Sequence, residues 1–259
     1  MDFILRYFER IGLFVLYIIN ELGSLIIYLW DCILSIIRYS VNLNNLFDQM
    51  SFIGIGSFYI VGLTGLFTGM VLSLQAYYAA RIVGVTYMIG PTVALAMTRE
   101  LGPVLTALMI TARCGSSMAS EIGTMKISEQ VDALEVMAVD PFYFLSVPRI
   151  IASMIMLPIM SIVTSLIGIF GGYVVYKFFL GLNGAVFVDM IYKYIKLSDI
   201  YNGLIKAVFF GIILATISTF KGFEASGGSK GVGRVTTQAV VLSSIYILFA
   251  DYILTSILF

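Results

Sequence analysis

From Gln49 to Ala80 the chain runs without one charged side chain. About 20 apolar residues are enough for a helix to cross a bilayer. Inside hydrocarbon each backbone N–H and C=O must be satisfied within its own segment, so such a run reads as a spanning helix. Four further stretches behave alike. The spans are expected at about 51–77, 86–112, 150–176, 200–220 and 236–258. Composition agrees: 12% of residues are charged, against about 25% in a soluble domain.

Residues 1–48 differ. Arg6, Glu9, Arg10, Glu21, Asp31 and Arg38 interrupt the apolar residues, so no uncharged window reaches span length. The segment is expected to form one or two amphipathic helices in the membrane interface. Its first apolar run lacks the short core and small-residue cleavage site of a secretory signal.

Within 49–259, Gly65 with Gly69 and Gly168 with Gly172 are small-xxx-small pairs that admit close helix approach. For the first pair, intramolecular packing and dimerisation are equally open. Ala207, Gly211 and Ala215 make a similar stripe on the fourth span. Pro158 is expected to kink the third.

The stretch 120–138, SEIGTMKISEQVDALEVMA, is of another kind. Ile127, Val131, Leu134 and Ala138 recur at i, i+4, i+7 and i+11 among five charged residues, the pattern of an amphipathic helix outside the bilayer core. Ser128 is its expected cap, and Glu129 suits the positive end of its dipole. Asp140, standing before Pro141, is expected to end it. Its acidic side (Glu121, Glu129, Asp132, Glu135) suits a basic partner surface better than anionic lipid.

Arg99-Glu100-Leu101-Gly102-Pro103 lies inside the second span. Ionisable groups there cost several kcal/mol and face a cavity or a partner. Pro103 lacks an amide proton and frees a carbonyl one turn earlier. Either the pair lines a transport cavity, or it is a structural ion pair. Adjacent helical residues point about 100° apart, so the two cannot both face one narrow groove, and Glu100 is the expected lining residue. Glu100 is 14 residues beyond Thr86, or roughly 20 Å along the helix.

Several chemistries are excluded. The chain has no histidine, which removes Ser-His, Cys-His and His-metal sites. Cys32 and Cys114 lie far apart in apolar contexts and read as packed thiols. Formal net charge is zero, so no whole-chain field attracts nucleic acid. The polar stretch KGFEASGGSKGVGR matches neither a P-loop nor a dinucleotide fingerprint and is expected to be a flexible connection. With no nucleotide site visible, energy from ATP has to come from a partner. No cofactor or metal site is expected.

Five spans put the N-terminus and the 114–148 and 221–235 loops on one side. Nine basic residues lie there (Arg6, Arg10, Arg38, Arg113, Lys126, Arg149, Lys221, Lys230, Arg234), against four opposite (Arg81, Lys177, Lys193, Lys196). The first side is therefore expected to be cytoplasmic.

The run TRELGPVLTALMITARCGSSMASEIGTMKISEQVDALEVMAVDPFYFLSVPR resembles the signature of MlaE/YrbE-type permeases. So do GLFTGMVLSLQ before it and GGSKGVGRVTTQAVVLSSIYILFADYILTSILF after it. The resemblance covers about residues 45–259, in the same order and spacing. It implies the homodimeric core of an ABC transporter for phospholipids or related lipids. It also implies cytoplasmic ATPase subunits beneath and an MCE-domain lipid-binding protein outside, in a bacterial inner membrane or a plastid inner envelope. By the same match 120–138 is the coupling helix, with Glu121, Lys126, Glu129, Gln130, Asp132 and Leu134 meeting the ATPase. Arg99, Glu100, Gln75 and Pro103 fall on the substrate pathway.

The expected protein is thus an all-α integral membrane permease, with five transmembrane helices after an N-terminal interfacial helix and with a cytoplasmic coupling helix. It hydrolyses nothing itself. Two other readings are weighed: an ion-coupled secondary transporter using Glu100 as its proton site, and a membrane-embedded lipid-modifying enzyme. The absence of histidine and of a clustered nucleophile and base counts against the second.

Overall fold

The computed structural model describes residues 2–38 and 42–258, with side chains at all of these except 2–11, 14, 15, 17, 18 and 36–38. The side chains of Arg6, Glu9, Arg10 and Arg38 thus lie outside the described set. Among the described residues there are helices and no strand. Helices that run on through one another are numbered together here. They are α1 (Asp2–Arg38), α2 (Leu43–Val83), α3 (Thr86–Ile127), α4 (Gln130–Val136), α5 (Phe142–Phe179), α6 (Gly184–Tyr194), α7 (Leu197–Phe223) and α8 (Gly228–Leu258). Five of them, α2, α3, α5, α7 and α8, are long and apolar enough to cross a membrane.

Each span is longer than expected, because a helix does not end where apolarity does. The second continues for fifteen residues past residue 112, through Ser116–Ile127, where nothing breaks it. The first absorbs residues 43–48, which were expected to belong to the interfacial segment. α2 is interrupted only by a 3₁₀ turn at Ile55–Ser57. Arg113 of α3 makes good that break: its guanidinium donates to the Phe52 carbonyl at 3.0 Å and to Ser57 Oγ at 2.9 Å.

Glycine lets the helices touch. A Cβ on Gly69 would lie 1.8 Å from the Gly168 carbonyl, and one on Gly65 2.7 Å from the Thr164 carbonyl. The α2 pair therefore packs within the chain, against α5. Gly211 of α7 meets the Ser153 carbonyl of α5 in the same way, and Gly203 meets the Thr98 carbonyl of α3. α7 is the most enclosed span and α8 the least. Pro158 sits inside helix that runs unbroken from Val147 to Val174.

α1 lies along one end of this bundle. Leu25, Tyr28, Cys32 and Ser35 form its buried face, at helical spacing. The Tyr28 hydroxyl and Ser146 Oγ of α5 are 2.6 Å apart, and the Tyr28 ring sits edge-on to Phe142 and Phe220. Ser35 Oγ donates to Asp140, and Glu21 pairs with Lys221 of α7 at 2.6 Å.

The expected single helix over 120–138 is corrected to the end of α3, a bend, and α4. Ser128 does not cap the second piece: its hydroxyl donates backward to the Thr124 carbonyl at 2.8 Å. Glu129 then adopts a left-handed conformation, φ 59°, which turns the chain. Of the expected stripe, Val131 and Leu134 pack with Ile122 and Leu145, but Ala138 is exposed beyond the end of α4. Asp140 and Pro141 start a helix rather than end one. The Asp140 carboxylate accepts from the Phe142 amide at 2.9 Å, at the head of α5.

Two connections are also shorter than expected. Residues 178–199 contain α6, which Asn183 caps by accepting from the Ala185 amide at 3.0 Å. The glycine-rich stretch is helical from Gly228, so the bend is confined to Glu224–Gly227.

Candidate functional site: a charge network inside the bundle

Lys206 stands nine residues into α7 and its side chain is fully enclosed. A buried ammonium must find oxygen partners. Its Nζ reaches Glu100 Oε2 of α3 at 2.5 Å, Asp251 Oδ1 of α8 at 3.1 Å and Thr255 Oγ1 at 2.7 Å. Thr255 Oγ1 in turn lies 3.3 Å from Glu100 Oε2 and donates to the Asp251 carbonyl. Three spans meet at this one cation. The carboxylates of Glu100 and Asp251 are partly exposed, 36% and 22%, so the network opens at the surface of the bundle.

Arg99 does not pair with Glu100. It turns the other way, to Asp199 at the head of α7, with Nη2 2.6 Å and Nε 3.0 Å from Oδ1. The other Asp199 oxygen accepts from the Lys196 amide at 2.9 Å and caps α7. Asp199 is almost wholly buried. Arg99 and Glu100 sit in a π turn, Met97–Leu101, where the Gly102 amide bonds the Met97 carbonyl and Ser165 Oγ donates to the same oxygen at 3.0 Å. Such wide turns recur at functional sites.

The depth estimate changes accordingly. Lys206 is nine residues from the start of α7 and Asp251 seven from the end of α8, so the network lies roughly 10–13 Å inside that end of the bundle. Glu100 is therefore shallower than its distance from Thr86 suggests.

The other two pathway candidates stand apart. Gln75 is exposed on α2, and among the described residues no hydrogen bond joins it to Arg99 or Glu100. Pro103 is buried, with its ring against Gly203. It packs α3 against α7.

At the opposite end two of the candidate coupling residues, Glu121 and Gln130, border a hollow lined largely by polar side chains. Glu121 accepts from Ser117 Oγ at 2.8 Å and from Arg149 Nη2 of α5 at 2.9 Å. With Gln130 and Thr236 these residues line a cavity of about 660 Å³. Lys126 closes on Asp132 at 2.7 Å across the bend. Leu134 faces inward, while Glu129, Asp132, Val136 and Met137 are exposed.

Sequence reading passed over Lys206, Asp199 and Thr255. Lys206 carried a signal: it is the lone ammonium deep in an otherwise uncharged fourth span. Asp199 carried none, because it falls at a span end, where charges are ordinary.

The family model described as "Permease MlaE" matches residues 46–257. The chain is 42% identical over 215 residues to the intermembrane phospholipid transport system permease protein MlaE of Haemophilus influenzae, covering 83% of this chain and 82% of that one. It is 40% identical over 240 residues to a probable ABC transporter permease protein of Rickettsia typhi, covering 93% of each. It is 35% identical over 227 residues to the chloroplastic protein TRIGALACTOSYLDIACYLGLYCEROL 1 of Arabidopsis thaliana, covering 88% of this chain and 65% of that one.

Proposed function

This chain belongs to the MlaE permease family, and from that premise we propose that it forms, as a homodimer, the membrane core of an ABC transporter that moves phospholipid out of or into a bacterial inner membrane. The observation that carries the substrate is the identity to a phospholipid transport permease along four fifths of both chains. ATPase subunits bind at the α4 end, and an MCE-domain lipid-binding protein meets the α6 end. The α4 end is cytoplasmic: among described side chains it holds Arg113, Lys126, Arg149, Lys221, Lys230 and Arg234, against Arg81, Lys177, Lys193 and Lys196 opposite.

In this reading the Glu100 network supplies what an apolar path lacks. A headgroup crossing hydrocarbon needs polar partners that are already in place, and their cost falls when they neutralise one another. Lys206 holds Glu100 and Asp251 at the opening, and Glu100 lines the lipid path. α3 links the two ends as one helix, carrying Glu100 and, about 40 Å away, the bend above α4. Movement of the ATPase against α4 thereby reaches the network. The chain itself supplies no ATP hydrolysis.

The test is reconstitution of the chain with its ATPase in vesicles holding a fluorescent phospholipid. ATP-dependent transfer to an acceptor protein or vesicle is expected, and its absence with an assembled, ATP-hydrolysing complex would refute the reading. A photocrosslinker placed at position 100 tests the path separately: lipid adducts are expected there.

A further inference from the structure

A second apolar feature lies outside the charge network. α5, α6 and the head of α7 enclose a groove of about 670 Å³. Thr98, Ile169 and Phe187 form its floor, and the exposed side chains of Phe170, Tyr192 and Leu197 form its rims. Of the described residues lining it only Lys196 is charged. A narrower hollow of about 70 Å³ continues it, sharing Thr98, Leu166, Ile169 and Ile200 and reaching Ser161.

Along α5 the two run from Tyr173 to Ser161, roughly 18 Å at 1.5 Å per residue. That is about the depth of one leaflet of a hydrocarbon core some 30 Å thick. The volume falls in the range of small-molecule sites, and the walls are what an acyl chain requires. Lys196 sits at the α6 end, where this leaflet's headgroups lie. Beside it Arg99 pairs with Asp199, so among the described residues Lys196 is the cation at the mouth that faces the groove.

We infer that this groove is a binding site for one acyl chain of an anionic phospholipid of the leaflet at the α6 end, with the Lys196 ammonium on the headgroup phosphate. The site is separate from Glu100 and does not require transport. It holds a lipid against α6 and against the head of α7, which carries Asp199. Its occupancy therefore bears on the Arg99–Asp199 contact at the edge of the network.

The experiment uses the full chain in phosphatidylcholine nanodiscs containing a minor fraction of phosphatidylglycerol with a diazirine at the acyl terminus. After irradiation, adducts are expected at Ile162–Leu166 and Ile200–Leu204. Lys196→Glu should lower them at least fivefold, since about fivefold is the effect of losing one lysine at an anionic surface, while a phosphatidylcholine probe changes less. Ile169→Trp should abolish adducts in the groove and leave those on α2 and α8. Lys196→Arg should label as the parent does, which separates loss of charge from loss of fold. Adducts spread evenly over the lipid-facing helices, or indifferent to Lys196→Glu, would overturn the inference. So would capture by Ile169→Cys of a hydrophobic helix from another protein in place of lipid. A complex that fails to transport lipid, yet labels in the groove, leaves the site standing and removes only the transport reading.

Discussion

Lys206 and Glu100, 106 positions apart, meet at 2.5 Å where α7 crosses α3, and the ammonium is closed off from its surroundings while the carboxylate is not. Removing one partner of a buried pair costs about 3–5 kcal/mol, and losing Lys206 costs less than the full amount because Glu100 and Asp251 are partly exposed. Lys206→Met should therefore lower the melting temperature in detergent sharply. Neutralising the carboxylates as well, in Lys206→Met/Glu100→Gln/Asp251→Asn, should recover most of the loss. A triple variant no more stable than the single one would contradict this account of the network.

Asp199 serves two neighbours, Arg99 and the head of α7. Asp199→Asn keeps an oxygen for the Lys196 amide and loses the ion pair. Asp199→Ala loses both and should be less stable than Asp199→Asn by about 1 kcal/mol, the usual worth of a helix cap. Thermal unfolding of the two variants side by side makes the comparison.

Glu129 and Asp132 are both exposed at the bend, yet they are not equivalent. Asp132 is already held by Lys126 at 2.7 Å, whereas Glu129 adopts left-handed backbone. Glu129→Arg should reduce ATPase capture in a pull-down by roughly tenfold, if a basic partner surface meets it. Glu129→Gly should leave the fold intact or firmer, since glycine accepts that backbone without the penalty of a side chain. Undiminished capture by both Glu129→Arg and Asp132→Arg would remove this helix as the docking element.

Burial pushes the Cys32 thiol up to about 12. At pH 8 only about one molecule in ten thousand then carries the reactive thiolate. Maleimide should label Cys32 slowly in the folded protein and promptly in dodecyl sulfate. Fast labelling of the native chain would mean that α1 does not rest on the bundle as described.

Gly69→Val places two methyl groups where α2 meets the Gly168 carbonyl. The expected loss is at or beyond the upper end of the ~1–3 kcal/mol typical of overpacking. Gly84→Val, in open space at the end of α2, is unsuitable as a control because φ there is 78°. Gly233→Ala meets nothing and should be silent by size-exclusion profile.

The five spans were legible because hydrocarbon imposes length and apolarity on each segment independently of the others. Their ends were not. Apolarity falls off near residue 112, whereas the helix persists to Ile127, where Ser128 and Glu129 turn it. A left-handed glutamate has no sequence signature, so one amphipathic pattern read as one helix. The charged pair at 99 and 100 was visible, but its partners were not. Adjacent positions on a helix diverge by about 100°, which rules out a shared groove without revealing that one side chain goes to Asp199 and the other to Lys206. Only the fold brings α7 and α8 to them.

Because α3 stays helical from the network to the bend, through one further wide turn at Thr111–Gly115, the two ends are held in rotational phase. One residue inserted between Leu101 and Ile127 would swing α4 about 100° around the axis of α3, and three more would return it to within about 40° of where it began. The number of residues in this stretch thus carries information that no single side chain there does. It fixes the azimuth at which α4 is presented to anything that docks on it.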